Sequence, residues 1–429
     1  MTAPQLTRRT LLTSLLLAGA GVAVPGLAGC SAGRLDLAKV DVNRQRPDAV
    51  PAADVLAALS TFSGVLMNRL TRAENLICSS LSIWVALAMT RNGAAGATAA
   101  EMDAALHYPE TAALNQGLNT LLQQLDKRAG QRALGDRKGE VGLDIADQVW
   151  GEQSEPWQQP FLTALARYYG TGVAKADFTH FPGAVNGRIN AWVSDATHDK
   201  ITDIVPPGVV TTLTRMVLAN AIYLKAPWQQ KFDDATPGAF HSPSGTVQTK
   251  MMMQTYDGFA GSGPGWKAAQ VPYLGGELAM TVILPDAGSE QRVHDQLGSG
   301  LISGVLGTLR DHVGIKLTMP RFSFSTRTEL TPVLQGLGMT TAFTDLADFS
   351  AMTTQDPLSI SAVLHQGFIA VDEQGTEATA ATVVVVTETS ARKPDETLTL
   401  TLDRPFWFVI HDVATRAPLL VGQVADPSS

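Results

Sequence analysis

Residues 372–386, DEQGTEATAATVVVV, are the part of this chain whose residue types and spacing could carry a function. Small residues prevail from Thr376 to Thr382, and four consecutive valines follow at 383–386. β-branched side chains fit a pleated sheet, so the valines favour a buried strand. In an ordinary fold, an exposed segment of such low charge would be an aggregation hazard. The pattern therefore predicts a strand that can exist outside a sheet or inside it, against the simpler interpretation of a plain inner strand led by a loop.

The sequence lacks the motifs of common enzymes. It contains no G-x-S-x-G, no H-E-x-x-H, no phosphate-binding loop and no Rossmann glycine pattern. The eight histidines are scattered, without a pairing at helical or hairpin spacing that would suit a metal. The formal charge of -8 gives no electrostatic footprint for nucleic acid. We therefore expect no catalytic residue, no metal, no cofactor and no nucleic-acid partner. An enzyme on another fold has no motif to support it.

The first 30 residues have the pattern of a targeting segment. Arg8 and Arg9 lie in TRRTLL, which is typical of a twin-arginine export signal, and an apolar run follows at 11–24. The segment ends in LAGC, which resembles a bacterial lipobox with Cys30 as the lipidated residue. A plain secretory signal is the alternative, and Pro25 interrupts the run before it reaches the roughly 20 residues of a membrane span. We expect an exported protein, lipid-anchored to the outer face of the cytoplasmic membrane or extracellular.

Beyond this segment the sequence predicts one large domain. Residues 31–50 are polar and contain proline, which favours a flexible tether to a folded body at 51–429. Apolar residues make up 45% of the chain and charged residues 17%, which implies a sizeable core. Cys78 is the only other cysteine and stands in an apolar stretch, so we expect a buried, inert thiol and no internal disulfide.

Helix and strand patterns divide this domain. Apolar residues recur at helical spacing from Asp54 to Leu70, and a second helix is predicted near 83–89. Helical patterns dominate to about residue 205, with a strand-like interruption at 142–149, and strand signals prevail beyond residue 213. Strands are predicted at 214–224, 268–271, 279–284, 315–319, 368–371, 397–401, 406–411 and 419–424. A helix-rich first half and a strand-rich second half indicate an α+β fold.

The residues EQGTEATAAT at 373–382 resemble the hinge of the serpins, a family of serine protease inhibitors. Seven further fragments occur in the order of that family and extend the similarity over nearly the whole mature chain. They lie at 75–98, 189–193 with 200–203, 220–225 with Trp228, 271–273 with 280–285, 337–339 with 347–350, 404–406 and 420–424. Cys78, Ser80 and the pair Ala226-Pro227 depart from the family pattern, which affects local packing more than function.

The resemblance implies the serpin fold, with three β-sheets, about nine helices and a reactive centre loop exposed at about 373–404. A target protease cleaves such a loop and forms an acyl-enzyme, and the loop then inserts as a new strand of the main sheet and traps the protease. The chain is therefore expected to be a monomeric inhibitor of a serine protease and not an enzyme. A non-inhibitory serpin-fold protein with a binding or chaperone-like role is the alternative.

The hinge itself is suited to insertion. It consists of Glu373, Gly375, Thr376, Glu377, Ala378, Thr379, Ala380, Ala381 and Thr382. Because side chains alternate along a strand, insertion would place Thr376 and every second residue up to Val386 on one face, which carries no charge. Glu377 falls on the other face, near a surface. Residues 378–386 contain neither proline nor a bulky charged residue, the changes that spoil the hinge of noninhibitory serpins, so the sequence favours an inhibitor.

Family spacing places the reactive bond sixteen residues after Glu373, between Thr389 and Ser390. A small β-branched residue there, reached through valines, favours elastase-like or subtilisin-like target proteases. The stretch from 389 to 405 is longer than is typical, so Arg392 remains a rival position, and it would indicate trypsin-like targets.

Two clusters also follow from the resemblance. One matches the family's shutter, a hydrogen-bonded group beneath the point where the main sheet opens, and consists of Ser79, Ser82, Asn220 and His365. Buried polar groups must be paired, so a set that can exchange partners as strands separate would act as a latch. A satisfied core histidine is the simpler interpretation of His365 alone. The second cluster matches the breach, where insertion begins, and contains Trp228 with Glu373 and Gly375.

Overall fold

Two β-sheets dominate the part of the chain that the structure, a computed structural model, describes: residues 35–70, 74–355, 357–377 and 396–428. The first sheet contains β1 (Leu37–Ala38), β3 (Gly130–Leu134), β4 (Arg137–Glu152), β5 (Val173–Ala176), β6 (Met216–Pro227), β12 (Phe322–Glu329), β13 (Ala362–Val371) and β14 (Gly375–Thr376). The second contains β2 (Leu76–Cys78), β7 (Thr236–Ser242), β8 (Gly245–Gly263), β9 (Trp266–Pro272), β10 (Leu278–Pro285), β11 (Arg310–Pro320), β15 (Glu396–Thr401), β16 (Phe406–Asp412) and β17 (Pro418–Val424).

Nine α-helices lie within the described ranges and cover these sheets. They are α1 (Ala53–Arg69), α2 (Ser80–Arg91), α3 (Gly96–Leu106), α4 (Thr111–Leu125), α5 (Gln159–Ala164), α6 (Pro182–Ala196), α7 (Glu290–Leu297), α8 (Leu301–Thr308) and α9 (Thr331–Gly336). The predicted α+β class and the expected number of helices are confirmed.

The strand order of the first sheet is β1-β5-β4-β6-β14-β13-β12, and β3 pairs with the beginning of β4. The second sheet runs β15-β11-β8-β9-β10-β16-β17-β2, with β7 paired to β8. The expected three sheets are therefore two hydrogen-bonded sheets among the described strands. The reason is the length of β8, which has 19 residues. It pairs with β7 over residues 245–251, with β11 over 251–260 and with β9 over 260–263, and so joins these strands in one sheet.

The first sheet is covered on both faces. On one face a large core contains α1, α2 and the second sheet, and on the other a smaller core lies under α6. α2 is buried almost all round, which is the pattern of a helix inside the core and not on the surface. Its N-terminus is capped by Ser79, whose side chain accepts a hydrogen bond from Ser82 N at 3.2 Å.

Residues 35–50 differ from the expected flexible tether. β1 pairs with β5 at the edge of the first sheet, and Gln45 N donates to Arg167 O at 2.7 Å. Arg44 Nε donates to Asn119 Oδ1 at 3.1 Å, and Asp48 N donates to Thr120 Oγ1 at 3.0 Å. Polar composition suggested a solvated linker, but these polar groups bond to α4 and its neighbours.

Cys78 is fully buried at the end of β2, and burial raises the pKa of its thiol. The predicted burial of this thiol is confirmed, and its raised pKa disfavours the reactive thiolate.

Candidate functional site

The hinge enters the first sheet between the carboxyl ends of two parallel strands. Gly375 and Thr376 form β14, which pairs antiparallel with Pro227 and Ala226 of β6, and Thr376 also pairs with Val371 of β13. Further along, residues 217–221 of β6 pair directly with 362–366 of β13. The boundary along which β6 and β13 adjoin is called the seam below. At one end of the seam, β14 is a wedge that separates the two strands. At the other end, β6 and β13 pair directly through five residue pairs.

Thr376 points from this wedge into the large core. Its side chain is buried, and Thr376 Oγ1 lies 2.6 Å from Tyr273 Oη, which is also fully buried. Each hydroxyl is the hydrogen-bond partner of the other. The first residue of the uncharged face is thus already in place inside the sheet.

Gly375 allows the hinge to approach β6 closely. A Cβ atom at this position would lie 2.2 Å from Ala226 O and 2.7 Å from Pro227 Cα. Both are backbone atoms that cannot turn away, so any side chain would push β14 out of the seam. This steric requirement explains a glycine at the entrance.

Trp228 packs against the turn that leads into β14 and hydrogen-bonds to it. Its indole Nε1 donates to Asp372 O at 2.9 Å, and its backbone N donates to Gln374 O at 2.8 Å. The ring stacks on Tyr273 with centroids 4.6 Å apart and an interplanar angle of 8°. Trp228 therefore holds both the turn and the tyrosine that bonds to Thr376.

Glu373 anchors the same turn from the other side. The carboxylate is nearly buried and accepts hydrogen bonds from Arg321 Nε at 2.7 Å and Ala235 N at 3.0 Å. Burial alone would raise the pKa of this carboxyl, but the hydrogen bonds from Arg321 and Ala235 and the Arg321 charge outweigh it, so the pKa lies below its ordinary value. Glu373 is a charged anchor next to the point where the hinge turns into the sheet.

Glu377, the next hinge residue after β14, faces the opposite side from Thr376. Its carboxylate lies 3.1 Å from Lys200 Nζ and accepts a hydrogen bond from Tyr223 Oη at 3.2 Å. Its φ of 47° is in the left-handed region, which is strained for a residue other than glycine. The ion pair and the tyrosine therefore hold the chain in an unfavourable backbone conformation where it leaves the sheet.

The shutter residues meet between α2 and the seam. His365 Nε2 accepts from Ser79 N at 3.0 Å, and the distance between His365 Nδ1 and Asn220 Oδ1 is 2.6 Å. Because Nε2 is an acceptor, Nδ1 must carry the proton and donate to Asn220. Asn220 Nδ2 donates to Leu364 O at 3.3 Å, and Ser79 Oγ donates to Leu419 O at 2.9 Å. The cluster thus links β6, β13, α2 and β17 through hydrogen bonds.

His365 is neutral in this arrangement. Burial lowers its pKa to about 3, because no charged partner is present to stabilise an imidazolium. The Asn220–His365 bond crosses the seam, so β6 and β13 cannot separate there without breaking it. Ser82 joins the cluster only through its backbone N, which donates to Ser79 Oγ at 3.2 Å.

Sequence reasoning missed four partners of the hinge: Tyr273, Tyr223, Lys200 and Arg321. Tyr273, Tyr223 and Lys200 lie inside fragments that resemble the family, but no spacing rule links them to residues more than 100 positions away. The remaining predicted positions lie outside the described residues. These are Cys30, Ala378, Thr379, Ala380, Ala381, Thr382, Thr389, Ser390 and Arg392.

Two other classes of site are absent from the described ranges. No group of three or more histidine, cysteine, aspartate or glutamate side chains there could hold a metal ion. None of the helices in those ranges is long and apolar enough to cross a membrane.

The chain is similar to known proteins in sequence and in fold. The family model described as serpin (serine protease inhibitor) matches residues 57–427. An uncharacterized serpin-like protein of Thermococcus kodakarensis is 33% identical over 377 residues, which cover 87% of this chain and 86% of that protein. Leukocyte elastase inhibitor A of Rattus norvegicus is 30% identical over 399 residues, which cover 89% of this chain and 100% of that protein. The crystal structure of the thermophilic serpin tengpin in the native state matches with a TM-score of 0.77 and 28% identity, covering 89% of this chain and 97% of that one.

Proposed function

This chain belongs to the serpin family, and we propose that it inhibits a serine protease as a single-use trap. The observation that carries the proposal is β14. It occupies the entrance of the β6–β13 seam and is antiparallel to both neighbours. A strand that continued from Thr376 along the seam would pair with both strands over their whole length. The described contacts of the hinge support this route for a cleaved loop.

Insertion of the loop would replace the short pairing between β6 and β13 by two longer pairings, one of the new strand with β6 and one with β13. It breaks the five parallel pairs between β6 and β13, and parallel pairing is slightly the less stable kind. A new strand would form about a dozen backbone hydrogen bonds at roughly 1 kcal/mol net each. Each valine at 383–386 would add about 1.5–3 kcal/mol if fully covered. The inserted state is then the more stable one, and the native state persists because a kinetic barrier separates the two.

The trapping step uses the chemistry of the protease. Its nucleophilic serine attacks the carbonyl carbon of Thr389, the bond to the Ser390 nitrogen breaks, and the new amino terminus leaves with a proton. The remaining ester would be carried some 45 Å by a strand of about 14 residues at roughly 3.3 Å each. Distortion of the protease would remove the oxyanion stabilisation that ester hydrolysis requires. The protease therefore stays covalently attached.

We favour an elastase-like or subtilisin-like protease as the target. The small β-branched Thr389 supports this preference, as does the similarity to a relative named leukocyte elastase inhibitor. Arg392 is the rival position and would direct the inhibitor to trypsin-like enzymes. Lipidation of Cys30 would place the inhibitor at the outer face of the cytoplasmic membrane, and Cys30→Ala should then release the full chain from the membrane fraction.

The test is to incubate the chain beginning at residue 31 with elastase, subtilisin and trypsin. A complex that survives a denaturing gel is expected, and the mass of the released peptide identifies the cleaved bond. Thr382→Arg puts a charge on the inserting face and should convert the inhibitor into a substrate. The matched control Thr379→Arg is on the opposite face and should leave trapping intact. If every protease cuts the loop and leaves active, a binding or chaperone-like role replaces inhibition.

A further inference from the structure

Asp147 on β4 is a carboxyl group that neither the hinge nor the shutter uses. The strand register places it opposite Asn220 on β6, and Asn220 opposite His365 on β13. Directly opposed residues point to the same face of a sheet. Asp147 therefore continues the row of shutter side chains by one strand. Its neighbours on that face, Ile145 and Val149, pack in the large core.

Two polar atoms in this row are buried without a standard hydrogen bond to any described residue. They are Ser82 Oγ, on the first turn of α2, and Asp147 Oδ1. Burial raises the pKa of Asp147 well above its ordinary value, and the interaction with the Ser82 hydroxyl lowers it only in part. A buried oxygen without a donor is costly. A proton on the carboxyl removes a buried charge that the neutral side chains of this row, Ser82, Asn220 and His365, do not offset.

We propose that Asp147 is a positioning residue of the shutter, neutral while the β6–β13 seam is closed, and that its ionisation favours opening of the seam. The inference rests on the proposed function, because opening matters when a loop has to insert. When the strands separate, water reaches the row, and a solvated carboxyl releases its proton readily. Opening is therefore coupled to the loss of one proton.

Other titratable groups do not account for this coupling. His365 is the other ionisable side chain of the row, and it is neutral with its pKa lowered to about 3. Asn220 and Ser82, which face Asp147 from β6 and α2, carry no charge. Asp144 lies on the same strand but on the opposite face, where its carboxylate is exposed and 3.1 Å from His198 Nε2. Asp144 therefore provides a control on the same strand.

Proton linkage determines whether rising pH favours the open or the closed seam. A carboxyl whose pKa is higher in the closed state than in the open one binds more protons when closed, so rising pH favours opening. The rise in opening with pH begins near the ordinary aspartate pKa of about 4, where the open state loses its proton. It ends at the pH at which Asp147 also ionises in the closed state. An asparagine in place of Asp147 keeps the shape and removes the proton.

The experiment measures the rate of unfolding in urea from pH 4 to pH 9 for the wild type, Asp147→Asn and Asp144→Asn. The ratio of wild-type to Asp147→Asn rates cancels the contributions of the histidines. We expect this ratio to rise with pH, by up to about tenfold per pH unit if one full proton is released. The ratio for Asp144→Asn should change far less, because an ion pair between exposed side chains such as Asp144 and His198 contributes little to stability. A flat ratio for Asp147→Asn overturns the proposal.

A second measurement covers the case in which Asp147→Asn does not fold. Ser82→Ala removes the hydroxyl that stabilises the ionised carboxyl, so the midpoint of the pH profile should move to higher pH. The infrared carbonyl band of a protonated carboxyl should be present in the native wild type at neutral pH and disappear at the same midpoint. Absence of that band at neutral pH also overturns the proposal. Neither readout uses a protease, so a failure to trap proteases would refute the proposed function and leave this result standing.

Discussion

The hydroxyl groups of Thr376 and Tyr273 lie 2.6 Å apart in the buried space between the two sheets. Tyr273 follows β9 of the second sheet, and Thr376 belongs to the hinge, so this pair joins the reactive segment to the opposite side of the core. Tyr273 also stacks on Trp228, which bonds to the turn before the hinge. The half-entered position of the hinge is therefore fixed by specific contacts.

Removing one member of this pair should loosen the hinge. Tyr273→Phe leaves the Thr376 hydroxyl buried without its partner, at a cost of about 1–3 kcal/mol. The free energy of unfolding in urea should fall by that amount. Thr376→Val combined with Tyr273→Phe removes both hydroxyls and should restore most of the loss. Additive losses in the double variant would show that the two groups do not interact.

Gly375→Ala should exclude the hinge from the seam. The added methyl group meets Ala226 O at 2.2 Å, and the backbone of β6 cannot yield. The loop-cleaved form should lose several degrees of its thermal stability relative to the loop-cleaved wild type, and trapping of proteases should give way to cleavage. Gly336→Ala, at the end of α9, has no atom within 4 Å of the added group and serves as control. Equal melting temperatures for the two cleaved variants would contradict this account of Gly375.

Residues 35–50 should contribute to the stability of the folded body. Lys175 N donates to Asp36 O at 2.9 Å, in addition to the bonds made by Arg44, Gln45 and Asp48. Four such hydrogen bonds at about 1 kcal/mol net each give a loss of about 4 kcal/mol on deletion. The comparison is between chains that begin at residue 35 and at residue 51, unfolded in urea. Identical midpoints would mean that the segment is a tether after all.

Acid should destabilise the closed seam through His365. Its folded pKa of about 3 lies below the ordinary value of 6.5, so the unfolded chain binds more protons between these limits. The stability is complete above about pH 6.5 and falls by roughly 1.4 kcal/mol per pH unit as the pH drops towards 3. His365→Asn should remove this slope, whereas substitution of the exposed His180 by Asn should not. Urea unfolding midpoints between pH 4 and pH 7 measure the difference, and parallel curves for wild type and His365→Asn would refute it.

Strong periodicity made much of the fold predictable. The helical spacing from Asp54 to Leu70 corresponds to α1, and the apolar strand signals at 214–224 and 406–411 correspond to β6 and β16. β8 was missed because polar residues, glycines and three methionines interrupt its alternation over 19 residues. β12 was missed because serine and threonine outnumber the apolar residues of a strand whose inner face is half-buried apart from the buried Phe322. Burial by neighbouring strands, which a single segment does not reveal, stabilises both.

In the candidate site, too, some residues could be predicted from the sequence and others could not. Gly375, Thr376 and Glu373 could be singled out because residue type alone limits what a hinge can contain. Their partners could not, since Tyr273 is separated from Thr376 by 103 residues and Lys200 from Glu377 by even more. Hydrogen bonds across such separations depend on how distant segments pack against each other in the folded chain, which a local sequence pattern does not reveal.

The burial of Cys78 has a practical consequence for measuring loop movement. A chain that begins after Cys30 contains this single thiol, and its raised pKa and complete burial keep it unreactive towards maleimide reagents in the native protein. A cysteine introduced at a surface position would then be the only site labelled. The change in fluorescence of a dye attached to one such cysteine in the loop could time the travel of the loop in a stopped-flow instrument, without substitution of Cys78.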